Sequence, residues 1–202
     1  MDDFLTPNNW FKEKFRDKSG ERYHTFKAGL NLYLQRRGEI AVETGTQSKS
    51  EDWESGCSTT LIGSVTDTCG STLYTVDNVK NNLGESKKVT QEYGKSIKYM
   101  LTDSVEFLGK FDKRIDFLYL DSWELPKEEL DLEIYKKEMV RYQRHCLKEI
   151  ETAWPRLHKD SIVLFDDYDL PSESVPKLAV DWLRAMGWKI VLSGQQCLMI
   201  SR

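Results

Sequence analysis

Ile40-Ala41-Val42-Glu43-Thr44-Gly45-Thr46 is an apolar run that stops abruptly at an acid, a hydroxyl residue and a glycine. It reads as a buried strand breaking into a ligand-binding turn. Downstream, Thr72-Leu73-Tyr74-Thr75-Val76-Asp77-Asn78 repeats the arrangement. A second apolar strand ending in an acid is how open α/β sheets present carboxylates to the hydroxyls of a nucleoside.

Working outward from these two stretches, brief apolar runs alternate with amphipathic ones. Strands are expected at 39–43, 72–76, 97–101, 115–120, 161–165 and 188–192, with helices at about 58–66, 79–93, 104–110, 130–157 and 174–186. In the longest helix Tyr135, Met139, Tyr142, Cys146, Ile150 and Trp154 recur three or four residues apart, and Pro155 stands where it should end. Ser193-Gly194-Gln195 leaves too little chain for a crossover helix, so the last strand, at 196–200, must run antiparallel to the one before it. The fold class is α/β: a doubly wound, Rossmann-like, mostly parallel sheet with helices on both faces, closed by a hairpin. Aromatic and aliphatic residues at helical spacing from 8 to 37 read as an N-terminal helical cap, so the division is 1–37 cap and 38–202 main unit.

Composition narrows the function classes. A chain of 202 residues is one comfortable domain, and no segment has the run of about 20 apolar residues that crosses a bilayer. The acidic start, Met1-Asp2-Asp3, lacks a secretion signal, so a cytoplasmic location is expected. Cys57, Cys69, Cys146 and Cys197 form no CxxC pair and read as reduced thiols. A formal charge of -4 offers no general attraction for nucleic acid. The basic residues of 12–37 are interleaved with Glu13, Asp17 and Glu21, which reads as a solvated helical face.

Isolated acids fall at or just past the strand ends: Glu43, Asp77, Asp103, Asp121, Asp166 and Asp167. One such acid usually means a turn, but the same habit on five strands points to a ligand beyond the sheet. For an adenosyl ligand, Asp77, followed by Asn78, can accept from both ribose hydroxyls. Gly45 and Thr46 let the backbone come close, and Glu43 can orient that loop or reach the ligand's ammonium group. Ser58 opens a helix whose free N–H groups suit a carboxylate. Asp103 can accept from an exocyclic amine while the N–H of Ser104 meets a ring nitrogen, or Asp103 can simply cap the helix. Trp123 and Glu124, close after Asp121, are candidate substrate contacts, and Tyr168 a candidate pocket wall. His24, His145 and His158 read as structural or surface groups.

On these residues, in this order and spacing, the chain resembles class I S-adenosylmethionine-dependent methyltransferases from about residue 39 to its end. The resemblance implies a seven-stranded sheet with an antiparallel last strand, S-adenosyl-L-methionine as cofactor, and methyl transfer to a hydroxyl or amine of a small-molecule acceptor. A catechol-type O-methyltransferase subset is also similar in carrying an acid after the fourth strand and an acid pair after the fifth. That likeness implies that Asp121, Asp166 and Asp167 hold Mg²⁺; without metal, Asp121 is the candidate general base. One departure is the spacing of Gly45 and Gly56, with an insertion that could fold over the cofactor with Trp53 as a plug. Two alternatives stand beside this reading. One is a non-catalytic nucleoside-binding or assembly protein, with the long charged helix as a homodimer surface; the other is an NAD-dependent oxidoreductase, which the absence of GxGxxG after the first strand disfavours.

Overall fold

The computed structural model describes residues 15–16, 19–49, 57–123, 131–168 and 174–201. Their seven strands are β1 (Ile40–Thr44), β2 (Thr72–Asp77), β3 (Ile97–Leu101), β4 (Phe117–Leu120), β5 (Ile162–Phe165), β6 (Lys189–Ser193) and β7 (Cys197–Ile200). They form one sheet in the order β3-β2-β1-β4-β5-β7-β6, in which β7 is antiparallel to both of its neighbours. The helices are α1 (Tyr23–Gln35), α2 (Ser58–Cys69), α3 (Lys80–Val89), α4 (Ser104–Lys110), α5 (Leu132–Ala153) and α6 (Lys177–Ala185). This is the mostly parallel, Rossmann-like sheet with an antiparallel last strand that the strand pattern predicts.

The strands read as continuous apolar runs because both faces are covered. Along β4, Phe117 and Tyr119 join Phe26, Leu30 and Tyr33 of α1 and Leu61, Ile62 and Val65 of α2 on one face. Leu118 and Leu120 join Phe107 of α4, Ile150 of α5 and Leu183 of α6 on the other. The period of two along a strand thus feeds two cores. Helix α1 is continuous with the first of these, so the N-terminal segment contributes to the sheet's own packing.

Several bounds differ from the periodicity. The helix predicted at 79–93 is α3 followed by a 3₁₀ turn at Gln91–Tyr93, and α5 ends in a 3₁₀ turn at Trp154–Arg156 that contains Pro155. Among the described residues no helix is long and apolar enough to cross a membrane.

Successive strands run outward from β1 to β3, and the chain then returns to place β4 against the other side of β1. The carboxyl ends of β1 and β4 therefore flank the switch point of the sheet, where open α/β sheets bind ligands.

Candidate active site

Two spaces open at that switch point. The larger is a cleft of about 310 Å³ lined by Gly45, Asp77, Asn78, Asp103, Ser104 and Trp123 among others. The smaller, about 10 Å³, lies beside Asp121, Glu149, Asp166 and Asp167. Ser122 and Trp123 line both.

At the β1 end, Gly45 has φ +83°, and a Cβ there would collide with the carbonyl oxygen of Asp121. The glycine lets the β1 turn sit against the end of β4, and its N–H donates to Val76 O at 2.9 Å. Beneath the turn, Glu43 is fully buried and accepts from Thr59 Oγ1 at 2.7 Å and Thr75 Oγ1 at 2.6 Å through Oε2. Its Oε1 has no hydrogen-bond partner. Burial pushes the Glu43 carboxyl up to about 7, against the pull of hydrogen bonds from Ser58, Thr75 and Thr59. Ser58 and Thr46 serve the same polar network, Thr46 Oγ1 reaching Ser86 Oγ at 2.9 Å. Thus Glu43, Thr46 and Ser58 shape the floor under the turn, while Gly45 faces the cleft.

This burial has a measurable consequence. Folding holds the Glu43 proton to about pH 7, against 4.5 for the unperturbed group, so the folded chain binds more protons across that window and loses stability as pH rises through it. Glu43→Gln is expected to remove a loss on the order of 3 kcal/mol between the two ends of the window. Denaturant titrations at both ends check this; parallel stability curves for the two proteins would refute it.

At the β2 end, Asp77 Oδ1 accepts from Val79 N at 2.7 Å and Oδ2 from Asn82 Nδ2 at 3.1 Å. Thr46 N of the β1 turn also donates to Oδ2, at 3.4 Å, so the carboxylate is held from both turns and keeps acceptor capacity toward the cleft. Val79, 46% exposed, offers an apolar wall to the same cleft. After β3, Asp103 caps α4 by accepting from Glu106 N at 3.0 Å while still lining the cleft. Ser104 Oγ lies 3.1 Å from His145 Nε2. Trp123 is stacked on Tyr142 of α5 at 4.7 Å, with the Arg141 guanidinium 5.0 Å above its ring. That clamp fixes the indole as a wall of the cleft.

At the β4 and β5 ends, two of the three acids expected to hold metal, Asp166 and Asp167, have a different partner. Arg22, just before α1, donates from Nε to Asp166 Oδ1 at 2.9 Å and Oδ2 at 3.0 Å, and its Nη2 lies 3.7 Å from Asp167. With its amide oxygen turned toward the guanidinium, Gln195 accepts from Nη1 and Nη2 at 3.0 and 3.2 Å. Burial disfavours the charged guanidinium, but Asp166 outweighs that and raises the Arg22 pKa. Mg²⁺ at Asp121, Asp166 and Asp167 is therefore not supported: the positive charge at the acid pair is a guanidinium, and no three acid, histidine or cysteine side chains among the described residues group as a metal site. Arg22 is an exception to the reading of 12–37 as a solvated face, since its side chain is only 12% exposed.

Tyr119 links the acids. Its hydroxyl lies 2.8 Å from Asp166 Oδ2 and 3.1 Å from Asp121 Oδ2, and Gln196 Nε2 donates to it at 3.2 Å. One hydroxyl proton cannot serve both carboxylates. Burial, with Asp166 and Asp167 nearby, raises Asp121 well above the ordinary carboxylate range. Tyr168, expected as a pocket wall, is instead buried in the core, as are Tyr23 and Phe26. Glu124 and Trp53 lie outside the described residues.

A family model described as a methyltransferase domain matches residues 53–168. The chain belongs to the methyltransferase domain family. The match begins after the β1 turn. No curated protein matches the sequence. Among solved structures, the chain is similar to the SAH-bound methyltransferase PaMTH1 of Podospora anserina, with 14% identity, 100% of this chain and 88% of that one covered, and a TM-score of 0.62. It is similar to a methyltransferase from Geobacter sulfurreducens (12% identity, 96% and 87% covered, TM-score 0.59). It is also similar to CalS11, a TDP-rhamnose 3'-O-methyltransferase of calicheamicin biosynthesis (14%, 96% and 86%, TM-score 0.59). At such identities the likeness is one of fold.

Arg22, Tyr119, His145 and Glu149 are candidate site residues that sequence reasoning did not select, the last three of them within the matched methyltransferase domain. A partial signal existed for two of them: His145 and Glu149 share a helix face with Tyr142, three and seven residues on. Which way that face points is decided by how α5 docks.

Proposed function

We propose that the protein is an S-adenosyl-L-methionine-dependent methyltransferase that moves a methyl group to a hydroxyl or amine of a small molecule. The observation that carries this reading is the cleft at the switch point, where Gly45, Asp77, Asp103, Ser104 and Trp123 line one space. Asp77 would hold the ribose hydroxyls, and Asp103 and Ser104 the adenine edge, with Val79 and Trp123 as apolar walls. The orphaned Glu43 Oε1 and the turn above it suit the amino-acid end. Two of the structural relatives are described as bound to SAH, which supports the same choice.

When bound, the cofactor supplies an already activated methyl group on a sulfonium. The chain's task is then chiefly alignment. Asp121, adjoining the cleft through Ser122, would take the acceptor's proton, and burial with Asp166 and Asp167 nearby raises its proton affinity. Residues 1–37 would act as the cap that carries Arg22 to the acceptor end, with 38–202 forming the methyltransferase unit.

Calorimetry with S-adenosylmethionine, S-adenosylhomocysteine and NAD tests the reading. The two adenosyl compounds are expected to bind and NAD is not. Binding of NAD alone would favour an oxidoreductase, and binding of none a scaffold that has lost its ligand.

A further inference from the structure

We propose that the acceptor carries a protonated amine, recognised by Asp121 and Glu149 in the small cavity beside the cofactor cleft. The inference rests on the methyltransferase reading above and names its substrate class.

Four carboxylates border that cavity: Asp121, Glu149, Asp166 and Asp167. The Arg22 guanidinium is committed to Asp166 and Asp167 on one side. Asp121 and Glu149 remain on the other. Glu149 is 1% exposed, and its Oε1 lies outside hydrogen-bond geometry; its charged neighbour is His145, in which burial disfavours the charge but Glu149 raises the pKa. The nearest cation is His145, whose Nε2 lies 3.5 Å away and also faces Ser104 Oγ at 3.1 Å. A buried carboxylate oxygen held only by a long ion pair keeps capacity for a further donor, and filling it recovers free energy.

The shape of the space selects among partners. At about 10 Å³ it admits something the size of one water. A water supplies donors but no charge, and a divalent metal needs a tighter ring of oxygens than the described residues provide. A guanidinium or an aromatic ring is too large. An ammonium head group is close to water in size, brings three donors and one positive charge, and can enter from the cleft past Ser122 and Trp123. Burial, with Asp166 and Asp167 nearby, raises the Asp121 pKa, and a bound cation would oppose that rise.

The test uses the full chain saturated with S-adenosylhomocysteine and two isosteric pairs, tyramine against tyrosol and butylammonium against 1-butanol. The amines are expected to bind at least about tenfold more tightly than the matching alcohols, as charge-assisted hydrogen bonds to a buried carboxylate require. Glu149→Gln and Asp121→Asn should each reduce that preference, with melting curves checking that the variants fold. Alcohols binding as tightly as amines, no amine binding at millimolar concentration, or an undiminished preference in both variants would overturn the proposal. Saturation with S-adenosylhomocysteine is the first step, so its failure strikes the cofactor reading, whereas its success without amine preference strikes this inference alone.

Discussion

Replacing Asp77 with alanine is expected to weaken binding of S-adenosylmethionine and S-adenosylhomocysteine by at least about a hundredfold, since two hydrogen bonds to a charged group contribute roughly 1.5–3 kcal/mol each. The carboxylate stands at the end of β2, lines the cleft, and is oriented by Val79 N and Asn82 Nδ2 before any ligand arrives. Little ordering cost remains to be met on binding, so its full strength is available to a vicinal diol. Asp77→Asn should fall between, because an amide offers one acceptor oxygen where the diol needs two. Alanine also frees the Val79 and Asn82 donors, so thermal melting must accompany calorimetry. A folded Asp77→Ala protein that binds S-adenosylhomocysteine as the parent does would remove the ribose assignment.

The second large effect concerns stability. Arg22→Met is expected to destabilise the fold by about 3–5 kcal/mol, the cost of stripping one partner from a buried ion pair. For a chain of this size that corresponds to a fall in Tm of roughly 6–20 °C. Asp166 is 4% exposed, takes both of its close charge-assisted contacts from Arg22 Nε, and would be left with Tyr119 as its side-chain donor among the described residues. Combining Arg22→Met with Asp166→Asn should restore much of the loss, because the penalty comes from the orphaned charge. Arg22→Lys should restore less than the native residue gives, since an ammonium cannot reproduce the planar fork that engages Asp166, Asp167 and Gln195 together. Differential scanning calorimetry of the four proteins decides it; an Arg22→Met Tm equal to the parent's would show that the pair holds nothing.

Much of the architecture was legible because the strands of a doubly covered sheet must be apolar on both sides. Ile162-Val163-Leu164-Phe165 could be little else, and β5 is buried at every position. The antiparallel end followed from chain length alone at Ser193-Gly194-Gln195. The strand-end acids were legible for a related reason: in a parallel sheet all such ends lie on one edge, so Asp77, Asp103 and Asp121 had to gather there. Their partners were not. Arg22 meets Asp166 across 144 residues of sequence, and nothing in its local pattern distinguishes it from Arg36 or Lys27. Tyr168 follows a strand end as a pocket residue would, yet its ring turns into the core beside α6.

The sequence by itself determined the sheet, the direction of its last strand and the edge at which polar groups collect, because periodicity and loop length are local quantities. Only the tertiary structure decided what those groups do. It set Gly45 against the Asp121 carbonyl, sank Glu43 beneath the turn, brought a guanidinium to the acid pair where metal was expected, and put Glu149 beside a small cavity with His145 as its nearest cation. Each of these depends on how elements distant in the chain pack. Packing fixes dielectric surroundings and counter-charges, and these govern what a carboxylate can do.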